Sequence, residues 1–502
     1  MNQGAMLNAY PDSMGGNLSD IVSVLKKDEL KNAFLSFYIL PSMFHTDLDR
    51  GFSVQDYDLE ESLASKEDLN QLMDMGIDLK LDFILNHASV LSPQFQDLIK
   101  NGQASKYKDF FINWNTFWEG HGTMTEEGYI QPDEELIKDM FFRKAGLPIL
   151  MLEFSDGTKV PYWNTFYQKV WEEKGEKKYL GQMDLNIKSD LVWEFYDETL
   201  SKLSSYGASI VRLDAFAYAS KEVGERNFFN EPETWEVLQR LTDMANKYGL
   251  TFLPEIHASY SEGRYEQVAN KGYMTYDFFL PGLLIDALES GDGAHLKNWA
   301  DELQEKQISV VNMLGCHDGI PLLDLKGILP EEQIQGLIDT VVKRGGYVKD
   351  LHGAKNVYYQ VNATYYSALG EDDKKMELAR AIQMFMPGKP QVWYLDLFVG
   401  KNDHEAVKRA GEGGHKEINR TNLSLEEIED RLKMDVVKNQ ISLLQLRNSH
   451  PAFGEGANME FVSEGNEISI SWTKGADQIC LHANLKTFEY NVEQGTYPRS
   501  IK

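Results

Sequence analysis

The sequence predicts an α/β protein: an eight-stranded parallel (β/α)8 barrel with two insertions and a C-terminal antiparallel β-domain. Three observations support this fold class. Eight short apolar runs alternate with amphipathic helical stretches. Acidic residues at the ends of several runs are separated by roughly whole βα units of a TIM barrel. Past about residue 448, the pattern changes to short alternating runs that are typical of antiparallel strands.

Each apolar run is rich in Val, Ile, Leu, Phe and Tyr and is too short for a buried helix, so each predicts a strand. The predicted strands are Met6–Tyr10, Phe34–Leu40, Ile77–Leu85, Ser209–Leu213, Thr251–Glu255, Met274–Leu280, Ser309–Leu314 and Gln391–Leu395. Helical patterns lie between them. One follows Ser65, a favoured N-cap residue, and ends at Gly76; others cover Asp190–Ser205 and Met376–Met386.

The spacing also predicts where the barrel is interrupted. A barrel of about 250 residues gives each βα unit about 31 residues, and the segment between Asp82 and Asp214 is roughly 100 residues longer than that. The stretch 88–182 is aromatic and polar without alternation, and 320–370 is irregular. The predicted domains are barrel segments 1–87, 183–319 and 371–447, an inserted domain B at 88–182, a smaller insertion B′ at 320–370, and a β-domain at 448–502.

Composition excludes several classes of partner. The chain has 502 residues and a formal charge of −28, from 78 acidic and 50 basic residues. This charge argues against a surface that follows the phosphates of nucleic acid or of an anionic membrane. Two cysteines cannot form a disulfide framework in a chain of this size, and the N-terminus lacks the pattern of a secretory leader. We therefore expect a soluble cytoplasmic protein that is a monomer or a homodimer.

Acidic residues stand at the carboxyl ends of four predicted strands. The residues at these ends are Asp82 with Asn86 and His87, Asp214 with Arg212, Glu255 with His257, and Asp318 with His317. Arg212 lies two residues before Asp214 and therefore on the same face of its strand. Because the carboxyl ends of barrel strands form one mouth, we expect these side chains to converge there.

Convergent carboxylates suit retaining glycosyl transfer. One carboxylate attacks the sugar, and a second, in its acid form about 5–5.5 Å away, protonates the leaving oxygen. Arg212 is expected to keep Asp214 ionised, and a neighbouring carboxylate is expected to raise the pKa of Glu255. A two-metal site also uses Asp, Glu and His, so spacing alone leaves metal chemistry open. Taken singly, a strand-end Asp is more often a cap or a salt-bridge partner.

Four segments resemble the four short motifs of glycoside hydrolase family 13, the α-amylase family, in that family's order. They are Asp82–His87, Arg212–Asp214, Glu255 and His317–Asp318. Further stretches are similar to the sucrose phosphorylase branch of that family. These are Asp49–Tyr57, Arg212–Tyr218, His317–Ile320, Tyr359–Leu369 and Gly400–Asp403. The resemblance covers nearly the whole chain, from Tyr10 to about Phe453.

The resemblance implies phosphorolysis of an α-glucoside through a β-glucosyl-enzyme, with Asp214 as nucleophile, Glu255 as acid/base and Asp318 as transition-state stabiliser. It implies that the following residues bind the substrate: Asp49, His87, Gln182, Arg212, His257, His317, Tyr359, Gln360 and Lys416. Arg143 and Lys144 lie where the branch carries a phosphate-binding basic residue, although a solvated basic pair is an equal alternative. No metal or organic cofactor is implied. The expected partners are a small sugar and inorganic phosphate.

Departures from the pattern of the branch affect the acceptor. Lys416 replaces an arginine that holds the glucose, and Val357 replaces an Asp that contacts fructose in sucrose-specific members. An insertion that includes Trp171–Lys178 precedes Gln182. Sucrose is the leading donor. The alternatives are a phosphorylase of sucrose 6′-phosphate, glucosylglycerol or glucosylglycerate, an α-glucosidase or transglucosidase, and an inactive sugar-binding barrel.

Overall fold

The computed structural model describes residues 3–154, 156–173, 176–350, 358–411 and 414–496, and its centre is a parallel β-barrel. The barrel strands are β1 (Met6–Ala9), β2 (Ser36–Ile39), β3 (Asp78–Ile84), β4 (Ala208–Asp214), β5 (Thr251–Pro254), β6 (Thr275–Asp277), β7 (Val310–Met313) and β8 (Lys389–Trp393). Neighbouring strands are hydrogen-bonded in the order β5-β4-β3-β2-β1-β8-β7-β6, which forms a nearly closed ring. The predicted (β/α)8 barrel is confirmed, and every predicted strand overlaps an observed one.

The parallel register aligns the strand ends that carry the acidic residues. In this register, Arg212 of β4 lies opposite Asp82 of β3. The interior is apolar with a few buried polar side chains, among them Lys80. Its Nζ donates hydrogen bonds to the hydroxyl of Tyr276 at 2.6 Å and to the side-chain oxygen of Gln391 at 2.8 Å. The barrel interior therefore supports the strands with both packing and hydrogen bonds.

Two predicted strands extend too far at their carboxyl ends. Strand β6 ends at Asp277, whose Oδ1 accepts hydrogen bonds from the backbone N–H groups of Phe279 at 3.1 Å and Leu280 at 2.9 Å. These bonds begin the helix Leu280–Ser290, so the predicted extension to Leu280 is wrong. Strand β8 gives way directly to the short helix Tyr394–Leu397, so the predicted extension to Leu395 is also wrong.

Helices surround the barrel and follow its last strand. They are Leu18–Leu25, Lys66–Asp74, Asp190–Ser205, Glu233–Asn246, Arg264–Asn270, Leu280–Ser290, Ala294–Glu305, Asp373–Phe385, Tyr394–Leu397, His404–Ala410, Leu425–Arg431 and Asp435–Ser449. The helix predicted after Ser65 is confirmed, and it begins with a capping box between Ser65 and Asp68. Asp190–Ser205 is observed with the predicted bounds. None of the helices in the described ranges is both long and apolar enough to cross a membrane.

The segment between β3 and β4 forms small sheets with an apolar cluster of their own. Its strands are His87–Ser89, Gly122–Met124, Ile130–Pro132, Ile149–Glu153, Lys159–Trp163, Gln168–Glu173 and Glu176–Asp184, and its helices are Pro93–Asn101, Trp114–Phe117 and Glu134–Ile137. The cluster contains Trp114, Trp118 and Trp163. Glu176–Asp184 pairs with His87–Ser89 in antiparallel register, which attaches this segment to the end of β3. The predicted domain boundaries remain a prediction.

The segment after β7 is more regular than the sequence predicts. It contains the helices Glu331–Lys343 and Tyr365–Ala368 and the paired strands Tyr347–Asp350 and Tyr358–Asn362. The expectation of an irregular stretch is wrong for Glu331–Lys343, because Ile334, Leu337, Ile338 and Val341 are buried at helical spacing.

Two antiparallel sheets complete the fold. The C-terminal sheet contains Asn458–Glu464, Glu467–Lys474, Asp477–Asn484 and Tyr490–Thr496 in sequential order, which confirms the predicted antiparallel β-domain. The loop after β2 forms a hairpin of Phe44–Thr46 and Val54–Leu59. The turn of this hairpin contains Asp49 and lies at the mouth of the barrel cleft.

Candidate active site

A cleft of about 660 Å³ opens at the carboxyl ends of the barrel strands. The predicted site residues that line it are Asp49, His87, Arg143, Lys144, Gln182, Asp214, Glu255, His257, His317, Asp318, Gln360 and Lys416. Tyr359 lies on the strand Tyr358–Asn362, but its side chain, like all of Val357, lies outside the described residues. Another cleft, of about 670 Å³ beside helix His404–Ala410, is lined by none of the predicted site residues.

Arg212 joins the carboxylates of three barrel strands. Its Nη1 lies 2.6 Å from Asp82 Oδ1 and 3.0 Å from Asp214 Oδ1, and its Nη2 lies 2.6 Å from Glu255 Oε1. The guanidinium is buried, with 3% of its side chain exposed, and Asp82 also accepts a hydrogen bond from the Tyr38 hydroxyl at 2.7 Å. Asp214 and Glu255 are thus held on one rigid fork at the mouth of the barrel.

The pKa values of this carboxylate pair have the opposite order from the one expected. Burial raises the pKa of Asp214, and Arg212 offsets this only in part. Burial also acts on Glu255, but Arg212 and His257 outweigh it and lower its pKa. The cause is geometric, because Arg212 and His257 both lie near the same oxygen, Glu255 Oε1, at 2.6 and 3.4 Å. The contacts at Oε1 therefore favour the ionised form of Glu255 more strongly than Arg212 alone favours that of Asp214.

Asp318 is a fixed anion on the other side of the cleft. Its carboxylate lies 2.6 Å from Lys416 Nζ, 3.3 Å from His317 Nε2 and 3.8 Å from Arg420 Nη2. Burial opposes its charge, but these three neighbours lower the pKa of Asp318 well below its ordinary value. Burial also lowers the pKa of His317 to about 3, so this imidazole is neutral at pH 7. Its ring stacks on Phe52 at 5.0 Å.

Asp49 faces the same two basic groups. It lies 3.6 Å from Lys416 Nζ and 3.6 Å from Arg420 Nη1. Arg420 also donates from Nε to the carbonyl oxygen of His317 at 2.8 Å, which attaches the loop after β8 to the end of β7. The sequence analysis did not identify Arg420, although it lies in the same segment as Lys416. The sequence feature that could have identified Arg420 is a second basic residue four positions after Lys416.

His87 and Gln182 meet on one backbone carbonyl. His87 Nε2 lies 2.9 Å from the carbonyl oxygen of Phe52, and Gln182 Nε2 donates to the same oxygen at 2.8 Å. Burial lowers the pKa of His87, which favours the neutral imidazole. The loop after β2, the end of β3 and the strand Glu176–Asp184 are therefore joined at one point of the cleft wall.

Arg143 and Lys144 reach the cleft from the segment between β3 and β4. Lys144 donates from Nζ to Asn164 Oδ1, and burial lowers its pKa to about 8. The Arg143 guanidinium lies 5.6 Å from the ring centroid of Phe166 and 6.0 Å from that of Tyr218. Both basic residues line the cleft, so their binding of phosphate remains a prediction that the geometry allows.

The carboxylates of the cleft have basic partners and are not grouped around a cation position. Within the described ranges, no three His, Cys, Asp or Glu side chains are arranged to hold a metal ion. The arrangement offers two adjacent carboxyl groups, a third anion across the cleft and several donors for hydroxyl groups. Such an arrangement is suited to an oxocarbenium-like transition state.

No protein-family model matches the sequence. The chain is 52% identical over 496 residues to a sucrose 6(F)-phosphate phosphorylase of Ilumatobacter coccineus, with 97% of this chain and 95% of that one covered. The chain belongs to the sucrose phosphorylase branch of glycoside hydrolase family 13. It is also 35% identical over 497 residues to a sucrose phosphorylase of Streptococcus mutans, with 97% of each chain covered.

Solved structures agree with this membership of the sucrose phosphorylase branch. A crystal structure of sucrose 6F-phosphate phosphorylase from Thermoanaerobacter thermosaccharolyticum matches with a TM-score of 0.88 and 34% identity, over 99% of this chain and 98% of that one. An α-amylase from H. orenii matches with a TM-score of 0.65 at 16% identity, over 97% and 90% of the two chains, and shares the fold. The chain is thus an enzyme of the sucrose phosphorylase type.

Proposed function

We propose that this enzyme is a retaining phosphorylase that transfers the glucosyl group of sucrose 6′-phosphate to inorganic phosphate. Sucrose is the second candidate donor. The observation that carries the proposal is the contact of one buried guanidinium, that of Arg212, with both Asp214 and Glu255 at the mouth of the barrel. This fork holds two carboxyl groups side by side, as a double displacement at one sugar carbon requires.

In the first half of the proposed cycle, Asp214 Oδ attacks the anomeric carbon C1 as the bond between C1 and the leaving oxygen breaks. Glu255 gives its proton to that oxygen, and fructose 6-phosphate or fructose departs. Asp318 stabilises the positive charge that develops at the sugar ring. In this proposal, His87, His317 and Arg212 hold the glucosyl unit, and Asp49 and Lys416 bind its distant hydroxyl groups.

In the second half, a phosphate oxygen attacks C1 from the opposite face and breaks the ester bond to Asp214. Glu255 takes the proton that phosphate loses. Two inversions at C1 give α-glucose 1-phosphate with net retention.

The donor with a phosphate group is favoured by charge. A phosphorylated acceptor needs basic side chains in the outer cleft, and Arg143 and Lys144 both line it. Val357 replaces an acidic residue that contacts fructose in sucrose-specific members of the branch, and an acid at that position would repel the acceptor phosphate. The identity to the Ilumatobacter coccineus sucrose 6(F)-phosphate phosphorylase supports the same choice.

A donor screen tests this proposal directly. The purified protein is incubated with sucrose 6′-phosphate, sucrose, glucosylglycerol or glucosylglycerate, each with and without phosphate, and α-glucose 1-phosphate and free glucose are measured. We expect the highest kcat/KM with sucrose 6′-phosphate, and α-glucose 1-phosphate as the product. Higher kcat/KM with sucrose would select the second candidate, free glucose as the main product would indicate a hydrolase, and no turnover would indicate a binding protein.

We also infer a cytoplasmic location and a monomer or homodimer. Two cysteines without a disulfide, Cys316 and Cys480, support a reducing compartment. Light scattering on the purified protein measures the assembly, and a mass above that of a dimer would contradict it.

A further inference from the structure

His257 is held between two carboxylates. Its Nδ1 lies 3.0 Å from Asp324 Oδ2, and its Nε2 lies 3.4 Å from Glu255 Oε1. The side chains of His257 and Asp324 are 4% and 7% exposed. One face of the imidazole packs flat on Phe278, with 3.8 Å between ring centroids and 19° between the planes. The ring is thus fixed on both nitrogen edges and on one face.

The two partners of His257 come from different parts of the barrel. Glu255 and His257 follow β5, whereas Asp324 lies in the short 3₁₀ helix Leu323–Leu325 after β7. Asp324 lies behind the imidazole ring and not on the cleft wall, so it acts on the cleft through His257. Because Nδ1–H donates to Asp324, the other ring nitrogen is directed at Glu255.

We propose that Asp324 is a positioning residue that keeps His257 aligned with Glu255, so that His257 supplies the proton with which Glu255 protonates the leaving oxygen. The inference rests on the proposed role of Glu255. The proton on His257 Nε2 moves to Glu255 Oε1, and the imidazole becomes neutral while Nδ1–H stays bonded to Asp324. Glu255 then gives the proton to the leaving oxygen as the bond to C1 breaks.

The second half of the cycle restores the proton. Phosphate loses a proton to Glu255 as its oxygen bonds to C1, and Glu255 passes that proton back to His257 Nε2. No oxidant, reductant or further reactant takes part, and the proton count of the three side chains is unchanged after one turnover.

The charged groups around His257 and Glu255 favour a proton on His257. Glu255 needs such a donor, because Arg212 and His257 share its Oε1 and hold it as an anion. Burial opposes the charge on His257, but Asp324 and Glu255 outweigh burial and raise its pKa to about 9. The amide Nε2 of Gln360 lies 3.3 Å from His257 Nε2 and is a neutral neighbour. His257 therefore holds a proton next to an acid/base that lacks one.

The Asp324→Asn variant tests the proposal with two donors. Sucrose 6′-phosphate, or sucrose if the screen favours it, needs protonation of its leaving oxygen, whereas α-glucosyl fluoride does not. For the sugar donor, we expect kcat/KM to fall about 10- to 100-fold, which is less than the roughly 10²- to 10⁴-fold of a whole general acid because Glu255 itself remains. For the fluoride, we expect a fall of less than about threefold. The measured quantity, called the donor ratio below, is the ratio of the kcat/KM values for the sugar donor and the fluoride. It is used because kcat/KM reports the steps up to formation of the glucosyl-enzyme.

A matched control is available in the same barrel. Asp286 is buried and its Oδ2 lies 3.1 Å from Nδ1 of His295, whose side chain is 37% exposed and does not line the cleft. Asp286→Asn removes an equivalent carboxylate–histidine contact and should leave the donor ratio unchanged. His257→Gln is a second variant for the proposal itself, because its amide can donate to Glu255 but cannot supply a proton, and it should show the same donor ratio as Asp324→Asn.

The pH profile gives an independent readout. The carboxylates that face the His257 imidazole are Glu255 and Asp324, and Glu262 and Arg212 act on those two in turn. Without the Asp324 charge, the pKa of His257 falls, so the alkaline limb of kcat/KM for the sugar donor should move about one unit or more to lower pH. An unchanged limb would contradict the proposal.

If kcat/KM of Asp324→Asn falls equally with both donors, or falls with neither, Asp324 has only a structural role. Glu255→Gln separates this failure from failure of the proposed function. If Glu255→Gln discriminates between the two donors and Asp324→Asn does not, only the inference about Asp324 fails. If kcat/KM of Glu255→Gln falls equally with both donors, the proposed acid role of Glu255 itself is wrong.

Discussion

Replacing Arg212 by Gln tests the electrostatic basis of the site. The change removes the cation that contacts Asp82, Asp214 and Glu255 within 3.0 Å. Breaking a buried ion pair costs about 3–5 kcal/mol because the remaining charge is left uncompensated. The three carboxyl groups can reduce this cost by binding protons, so the loss of stability should depend on pH.

The sign of that dependence follows from the pKa shifts. A carboxyl group whose folded-state pKa is raised binds more protons when folded, so its contribution to stability falls as pH rises above the unfolded value of about 4. Burial already raises the pKa of Asp82 and Asp214, and Arg212 opposes it. Glu255, whose pKa is lowered in the native protein, joins them when Arg212 is removed. The variant should therefore lose more stability at pH 8 than at pH 5.

Thermal unfolding of the native protein and Arg212→Gln at both pH values measures this difference. For 502 residues, about 1 kcal/mol corresponds to about 1 °C in Tm, so we expect a loss of about 3–5 °C at pH 8 and a clearly smaller one at pH 5. Arg431→Gln is the control, because Arg431 donates to the carbonyl oxygen of Phe398 at 2.6 Å and not to a carboxylate. Its loss should not grow with pH. Equal losses for Arg212→Gln at both pH values would refute the reasoning.

Three further substitutions test individual roles. Asp214→Ala should abolish formation of α-glucose 1-phosphate in a protein that still folds; near-normal turnover in a coupled assay would exclude it as the nucleophile. Lys144→Ala should raise the KM for phosphate far more than it lowers the rate of hydrolysis, whereas equal losses in the two assays would make Lys144 structural. Lys416→Met removes a cation that lowers the pKa of Asp318, so the acid limb of kcat/KM should move to higher pH. An unchanged limb would exclude that contribution.

The strand ends of the site could be predicted because their geometry is local. Arg212 and Asp214 are two residues apart on one strand, so they share a face whatever the rest of the fold does. The order of the βα units then brings Glu255 and Asp318 to the same mouth. These relations follow from the two-residue period of a strand and from the handedness and parallel direction of the βα units. The structure places all four residues accordingly.

The pKa order of the carboxylate pair could not be predicted from the sequence. It depends on Arg212 reaching past Asp214 to Glu255 on the next strand, and on His257 lying near the same carboxylate oxygen. Neither contact follows from a regular spacing of residues in the sequence. Asp324 and Arg420 were missed for a similar reason, because both lie in connections between barrel elements, and the contacts of these connections at the barrel mouth are set by tertiary packing.

The charge of the cleft changes during the proposed cycle in a way that controls when phosphate enters. Before glucosyl transfer, Asp214, Glu255 and Asp318 all face the cleft, and an incoming phosphate dianion is repelled by the ionised ones. A unit charge 4 Å away contributes about 4 kcal/mol at an effective dielectric constant of 20. Once C1 is bonded to Asp214, that carboxyl is an uncharged ester and can no longer ionise. Arg212 then has one counter-charge fewer, so the same acidic cleft that disfavours phosphate in the free enzyme accepts it in the glucosyl-enzyme.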